Sequence, residues 1–176
     1  MVDPAAQRGP VSDDQNTKLD QAGRNSAAGN GASPAAGFNA MVPELDVSDI
    51  TASLRFWCDL LGFHVVYDRP AAGFAFLERE QVQIMLCQIN GEWLTGPLER
   101  PFGRGINFEM RATDVSVIVA ALQNDGWPLF RPVKESWYRA GNRDVGALEF
   151  LVQDPDGYLL RFSQTLGARP LPGDHA

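Results

Sequence analysis

The chain has 176 residues, 44% of them hydrophobic, enough for one domain with its own core, and no apolar run in it is long enough to span a membrane. Net charge is −7, and residues 41–167 alone carry 11 basic against 17 acidic side chains, so the acidity belongs to the folding part. That balance speaks against a nucleic-acid partner, which needs clustered Lys and Arg, and suits a cationic small molecule.

Residues 1–40 are rich in Ala, Gly, Asn, Asp and Ser, with Phe38 the only aromatic. Such a segment buries too little apolar surface to offset its ordering entropy and is expected to be disordered. It has no basic stretch followed by an apolar one, so a secretory leader is not expected. Met41 opens the expected folded region and competes with Met1 as the start of translation.

Two segments then repeat a pattern 65 residues apart. In "LDVSDITASLRFWCDLLGF" a short strand leads to Ser48-Asp49, suited to capping a helix on which Leu54, Trp57 and Leu61 recur at helical spacing before Gly62 stops it. In "MRATDVSVIVAALQNDGW", Thr113-Asp114 precede a second helix carrying Val115, Ile118, Val119 and Leu122, and Gly126 ends it. Strand-like segments follow each helix: "HVVYD", "GFAFLE" and "QVQIMLCQI" in the first copy, and "PLFRPV", "ALEFLV" and "YLLRFSQ" in the second. The expected fold is therefore α+β, two βαβββ modules over about 41–98 and 104–167, with 168–176 a flexible tail.

Alternation assigns faces. Val82, Ile84 and Leu86 share one side of their strand, and Gln83, Met85 and Cys87 the other. Phe108 and Met110 oppose Asn107 and Glu109; Leu160 and Phe162 oppose Leu159, Arg161 and Ser163. The uniformly apolar faces should lie under the helices. The mixed faces should line a cavity holding Met85, Asn107, Glu109, Leu159 and Arg161.

Chemistry-bearing residues are few. His64 and His175 are the only histidines, which excludes a histidine-rich metal site and any Ser-His-Asp or Cys-His arrangement. Cys58 and Cys87 fit buried, reduced thiols of a cytoplasmic protein. Asp154 and Asp156 belong to the turn of "DPDG". Phe56, Trp57 and Trp127 suit the core, whereas Phe74, Phe76, Trp93, Phe102, Trp137 and Tyr138 lie in or beside Gly- and Pro-containing connections and are candidate ligand contacts. Glu109 and Arg161 are candidates too, paired with each other or holding a polar group of the ligand.

Three stretches, "VPELDVSDITASLRFWCDLLGF", "INFEMRATDV" and "DPDGYLLRF", resemble the vicinal oxygen chelate superfamily of glyoxalase I, extradiol dioxygenases and bleomycin resistance proteins. The resemblance covers nearly all of the expected folded region. It implies paired modules forming a curved mixed sheet around a cavity, usually in a homodimer, here with an exchanged first strand that carries Pro43. Metal-binding members place ligands at positions that here hold Val42, Met85, Asn107 and Arg161. Val and Met do not serve a hard divalent metal, Asn is a weak ligand, and Arg has no lone pair to offer.

The chain resembles the bleomycin-resistance branch in "VPEL", "FWCDLLGF" and "DPDGYLLRF". That branch does no chemistry and holds its drug in clefts at the dimer interface, by aromatic stacking and acidic residues. The implied function is sequestration of a bleomycin-like aromatic cation, without metal or other cofactor and without a nucleic-acid or membrane partner. The alternative is a metal-dependent glyoxalase-like lyase or dioxygenase with ligands relocated to Glu44, Asp46, Glu109 or Glu149. Known bleomycin binders carry a tryptophan before the "DPDG" hairpin; Gly146 stands at the matching position, and Trp137 or Tyr138 is the candidate replacement.

Overall fold

The structure is a computed structural model describing residues 30–171. The first module contains β2 (Glu44–Val47), helix α1 (Ile50–Leu54) widening into a π-type segment (Arg55–Leu60), β3 (His64–Arg69), β4 (Phe74–Arg79) and β5 (Val82–Gln88). The second contains β6 (Asn107–Arg111), α2 (Val115–Asp125), β7 (Leu129–Ala140), β8 (Arg143–Gln153) and β9 (Leu159–Pro170). A two-residue strand, β1 (Asn30–Gly31), precedes them.

Both modules have the expected βαβββ order and the same pairing. The first sheet runs β1-β3-β4-β5-β2 and the second β6-β9-β8-β7. In each, the strand before the helix pairs in parallel with the last strand, β2 with β5 and β6 with β9. Glu44 pairs with Met85 and Glu109 with Arg161, so the 65-residue repeat read from the sequence is also a repeat of register.

Local chemistry sets the helix ends. Asp49 is extended and its carboxylate accepts from the Thr51 and Ala52 amides at 2.8 and 3.1 Å. Asp114 accepts from the Ser116 amide and hydroxyl, which holds its carboxyl below the usual carboxylate range. Gly126 ends α2 at φ 75°, in the left-handed region that favours glycine. Across the π-type segment and its end, Phe56, Trp57, Leu60 and Leu61 are buried together on one face.

One core joins the modules. Leu45, Trp57, Leu77 and Leu86 share it with Met110, Ile118, Phe150 and Phe162. Phe150 and Phe162 stack with centroids 5.3 Å apart, and Phe56 packs against Trp127 at 4.7 Å. Removing one such ring typically costs about 3–5 kcal/mol.

The "DPDG" hairpin turn lies at the seam between modules. Asp154 accepts from the Asp156 and Tyr158 amides at 3.0 and 2.9 Å, as a turn aspartate should. Asp156 instead reaches the first module: its buried carboxylate accepts from the Ser48 amide at 2.9 Å and from the Arg100 guanidinium at 2.7 Å. The Tyr158 hydroxyl donates to the Asp46 carbonyl at 3.1 Å. Burial pushes it up to about 12, helped by Asp46, Asp154 and Asp156.

The segment "KESWYRAGNRDVG" differs from expectation. It forms the far half of the β7–β8 hairpin, with Trp137 paired to Gly146 and Tyr138 to Val145, so Trp137 and Tyr138 are strand residues. Strand β9 also continues through Pro170, because Ala168, Arg169 and Pro170 pair with the extended β8. Most of the N-terminal segment expected to be disordered, residues 1–29, lies outside the described residues. Residues 30–39 are laid along the first sheet, where Gly31 pairs with Tyr67 and Asn39 bonds to Gln83.

Candidate functional site

Each sheet turns one face to the helices and the other away from them, and the outward faces carry the mixed chemistry. On the second sheet the parallel pairing sets Arg161 beside Glu109, and the guanidinium bonds to that carboxylate. Its other end lies 3.6 Å from Glu149, which is only 7% exposed. Glu149 also accepts from the Tyr138 hydroxyl at 2.6 Å. The result is a chain of charge and hydrogen bonds, Glu109–Arg161–Glu149–Tyr138, across all four strands of the sheet. The Arg161 Nε is buried and unpartnered among the described residues.

Two adjoining cavities open over this chain. One, of about 440 Å³, is lined by Asn107, Phe130, Lys134, Tyr138, Glu149, Leu159 and Arg161. The other, of about 330 Å³, includes Glu109, Tyr138, Glu149, Arg161 and Ser163. Each lies in the lower part of the range for small-molecule sites.

The outward face of the first sheet is aromatic and acidic. Cross-strand register forms two rungs: Tyr67, Phe76, Met85 and Glu44 in one, and Arg69, Phe74, Cys87 and Asp46 in the next. Tyr67 stacks on Phe76 with centroids 5.0 Å apart and planes 16° apart. The Arg69 guanidinium lies over the Phe74 ring at 4.6 Å. Burial raises the Glu44 carboxyl, with Asp46 adding to the rise, and burial raises Asp46. Burial also raises the Cys87 thiol, with Glu44 and Asp46 opposing its ionisation, so it is poorly placed as a nucleophile.

The predicted site residues divide among five places. Glu109, Tyr138 and Arg161 come together on the second sheet. Phe74 and Phe76 sit on the outward face of the first, nearly fully buried by their neighbours. Trp93 is 71% exposed in the connection between the modules. Phe102 is placed in the core, edge-on to Tyr158 at 5.9 Å, rather than at a cavity.

Trp137 lies on the face of the second sheet opposite Tyr138, because neighbours on a strand alternate. Its ring covers Gly146, where an added Cβ would fall 2.7 Å from the indole, and Arg169 stacks on it at 4.0 Å. The indole thus fills the space a side chain at 146 would take, but away from the Arg161 cavities.

Met85 is likewise separated from Asn107, Glu109, Leu159 and Arg161, since it belongs to the first sheet. The register makes Met85 and Arg161 equivalent positions in the two modules. Glu149 is named from the sequence only as a possible relocated metal ligand, and its place beside Arg161 is the most important feature missed. In "ALEFLV" it stands between Leu148 and Phe150, and alternation against the buried Phe150 would have put it on the cavity face.

The donor set fits a metal poorly. Among the described residues no three of His, Cys, Asp or Glu stand close enough to hold an ion. Glu109 and Glu149, two of the possible relocated ligands, are both engaged by Arg161.

Comparison with known proteins agrees with this architecture. Residues 42–162 match the model of the Glyoxalase/Bleomycin resistance protein/Dioxygenase superfamily. The chain is 29% identical over 135 residues to bleomycin resistance proteins of Geobacillus stearothermophilus and Staphylococcus aureus, covering 71% of this chain and 96% of each relative. Among solved structures, TioX from Micromonospora sp. ML1 superposes with a TM-score of 0.57 at 17% identity, covering 73% of this chain and all 100% of that one. A virulence protein of Salmonella typhimurium gives 0.53 at 23% identity, over 72% and 97% of the two chains. The paired modules, their register and the extent of the match lead to one conclusion: the chain belongs to the glyoxalase/bleomycin resistance protein/dioxygenase superfamily.

Proposed function

We propose that this chain is a metal-free binding protein that sequesters a small aromatic cation of the bleomycin type and thereby confers resistance to it in the cytoplasm. In this reading two copies form a homodimer, and the aromatic-acidic face of one first sheet meets the partner's second sheet across a ligand cleft. Stacking would come from the Tyr67, Phe74 and Phe76 cluster, and attraction for the cation from Glu44 and Asp46. The bleomycin resistance relatives support the ligand class.

The single observation that carries the reading is the position of Arg161. The resemblance puts a metal-ligating carboxylate there, and this chain has a cation neutralised by Glu109 and Glu149. A guanidinium at that place repels a metal ion and occupies the carboxylates that would otherwise attract one. The test is metal analysis of protein purified without chelator. Substoichiometric Zn, Fe, Mn and Ni is the expected result, and one such ion per subunit would move the chain to the lyase or dioxygenase class.

A further inference from the structure

The aromatic face of the first sheet is already partly covered by the chain itself. Gly31 pairs antiparallel with Tyr67 of β3, extending the sheet at its free edge. From there the chain turns at Pro34, whose carbonyl accepts from the Gly37 amide at 2.9 Å, and comes back across the face. Phe38 then meets Phe76 edge-on, with centroids 5.5 Å apart and planes at 87°. Asn39 closes the strap: its amide donates to Gln83 Oε1 at 2.7 Å and its side chain to the Gln81 carbonyl at 2.8 Å. Gln83 answers by donating to the Gly37 carbonyl at 2.8 Å.

Three features make this a built contact. Gln83 is 5% exposed, and both ends of its side-chain amide bond to residues 37 and 39, the nitrogen also donating to Glu78 at 3.0 Å. Pro34 is buried in a segment whose neighbours are exposed. Gly31 has φ 108°, and a Cβ there would lie 2.3 Å from the Val66 carbonyl oxygen, so only glycine permits the approach. The matched superfamily region starts at residue 42, which leaves the whole strap outside the shared fold. Its hold is nevertheless modest: Phe38 remains 59% exposed, and only two residues pair in β1.

We infer that residues 31–39 are an autoinhibitory strap, which occupies the Tyr67–Phe76 face and must leave before an aromatic ligand can stack there. The inference rests on the proposed use of that face as one wall of the cleft. A ligand then competes with Phe38 for Phe76, and apparent affinity falls by the fraction of molecules in which the strap is open. Release of the strap by a partner or by cleavage of the N-terminal segment would raise capture of the ligand without altering any residue that touches it.

Two variants of the full chain test this. Gly31→Val forces β1 off the sheet edge, and Phe38→Ala removes the competing ring; neither residue lies in the shared core. Nile red, a neutral apolar dye, reports on the freed aromatic face without reference to any antibiotic. Brighter, blue-shifted dye emission in both variants at unchanged melting temperature is expected, with bleomycin bound about tenfold more tightly if the strap is open about a tenth of the time. Unchanged dye emission in both variants would overturn the strap. Weaker bleomycin binding in both would also overturn it, because the strap would then be part of the ligand's wall. Brighter dye with no bleomycin binding in any form would leave the strap standing and remove the antibiotic reading.

Discussion

Replacing Arg161 by methionine keeps an unbranched apolar stem and removes the guanidinium, so it tests the electrostatic chain on the second sheet. The guanidinium is 31% exposed and its partner Glu109 45%, which makes that pair nearly a surface one, worth about 0.5 kcal/mol. Glu149 is different. It is 7% exposed, and without Arg161 its only remaining partner among the described residues is the Tyr138 hydroxyl. Leaving a buried charged acceptor short of a donor costs about 1–3 kcal/mol. The predicted loss for Arg161→Met is therefore about 1.5–3.5 kcal/mol, measured by urea unfolding followed through tryptophan fluorescence. Glu149→Gln in that background should recover about 1–2 kcal/mol, because both ends of the buried interaction are then uncharged. The same Glu149→Gln in the natural chain should destabilise, since it leaves Arg161 with Glu109 alone. A single-variant loss under about 0.5 kcal/mol with no recovery in the double variant would refute the arrangement.

Other outcomes follow from the hairpin turn and the extended strands. Asp154 is raised from 3.8 to about 6, chiefly by burial, so the native state holds its proton where the unfolded state has lost it. Stability should fall as pH rises from about 4 to about 6 and level off above, by roughly 3 kcal/mol in full. Urea midpoints for Asp154→Asn, which keeps an acceptor but no proton to lose, should improve relative to the natural chain across that interval; parallel pH curves would contradict the assignment. Asp156→Ala leaves the Ser48 amide without its acceptor, while the exposed Arg100 guanidinium keeps the Ser48 hydroxyl, and should cost about 1–3 kcal/mol by the same assay. Gly146→Ala drives a methyl group to within 2.7 Å of the Trp137 ring, and should lift the indole from Arg169 with a change in tryptophan emission and a loss of about 1–3 kcal/mol.

The fold was legible because it is written twice. Asp49 and Asp114 cap the two helices with the same geometry, and Gly62 and Gly126 follow them at φ 76° and 75°. Alternation placed Leu160 and Phe162 in the core and Arg161 outside it. The ends of the folded part were harder to read. Residues 30–39 have one large apolar side chain, Phe38, and their order comes from Gln83 and Phe76, more than 35 residues away in sequence. The long β7–β8 hairpin was hidden because "KESWYRAGNRDVG" is polar, and its strands are held by each other and by the continuation of β9. Local pattern also could not divide the candidate aromatics: Phe102 went to the core because Tyr158 receives it there, and Trp137 turned from the cavity because Gly146 leaves room on the other face. Glu149 stands in the sequence only as a possible metal ligand, although alternation against the buried Phe150 already places it on the cavity face.

Calorimetric titration of metal-free bleomycin into the full chain, with and without EDTA, tests the proposed function most directly. Saturable binding of one drug per subunit, unaffected by the chelator, is the result predicted for a cleft that works by stacking and charge. No heat at high drug excess, or binding that disappears with EDTA, would contradict it.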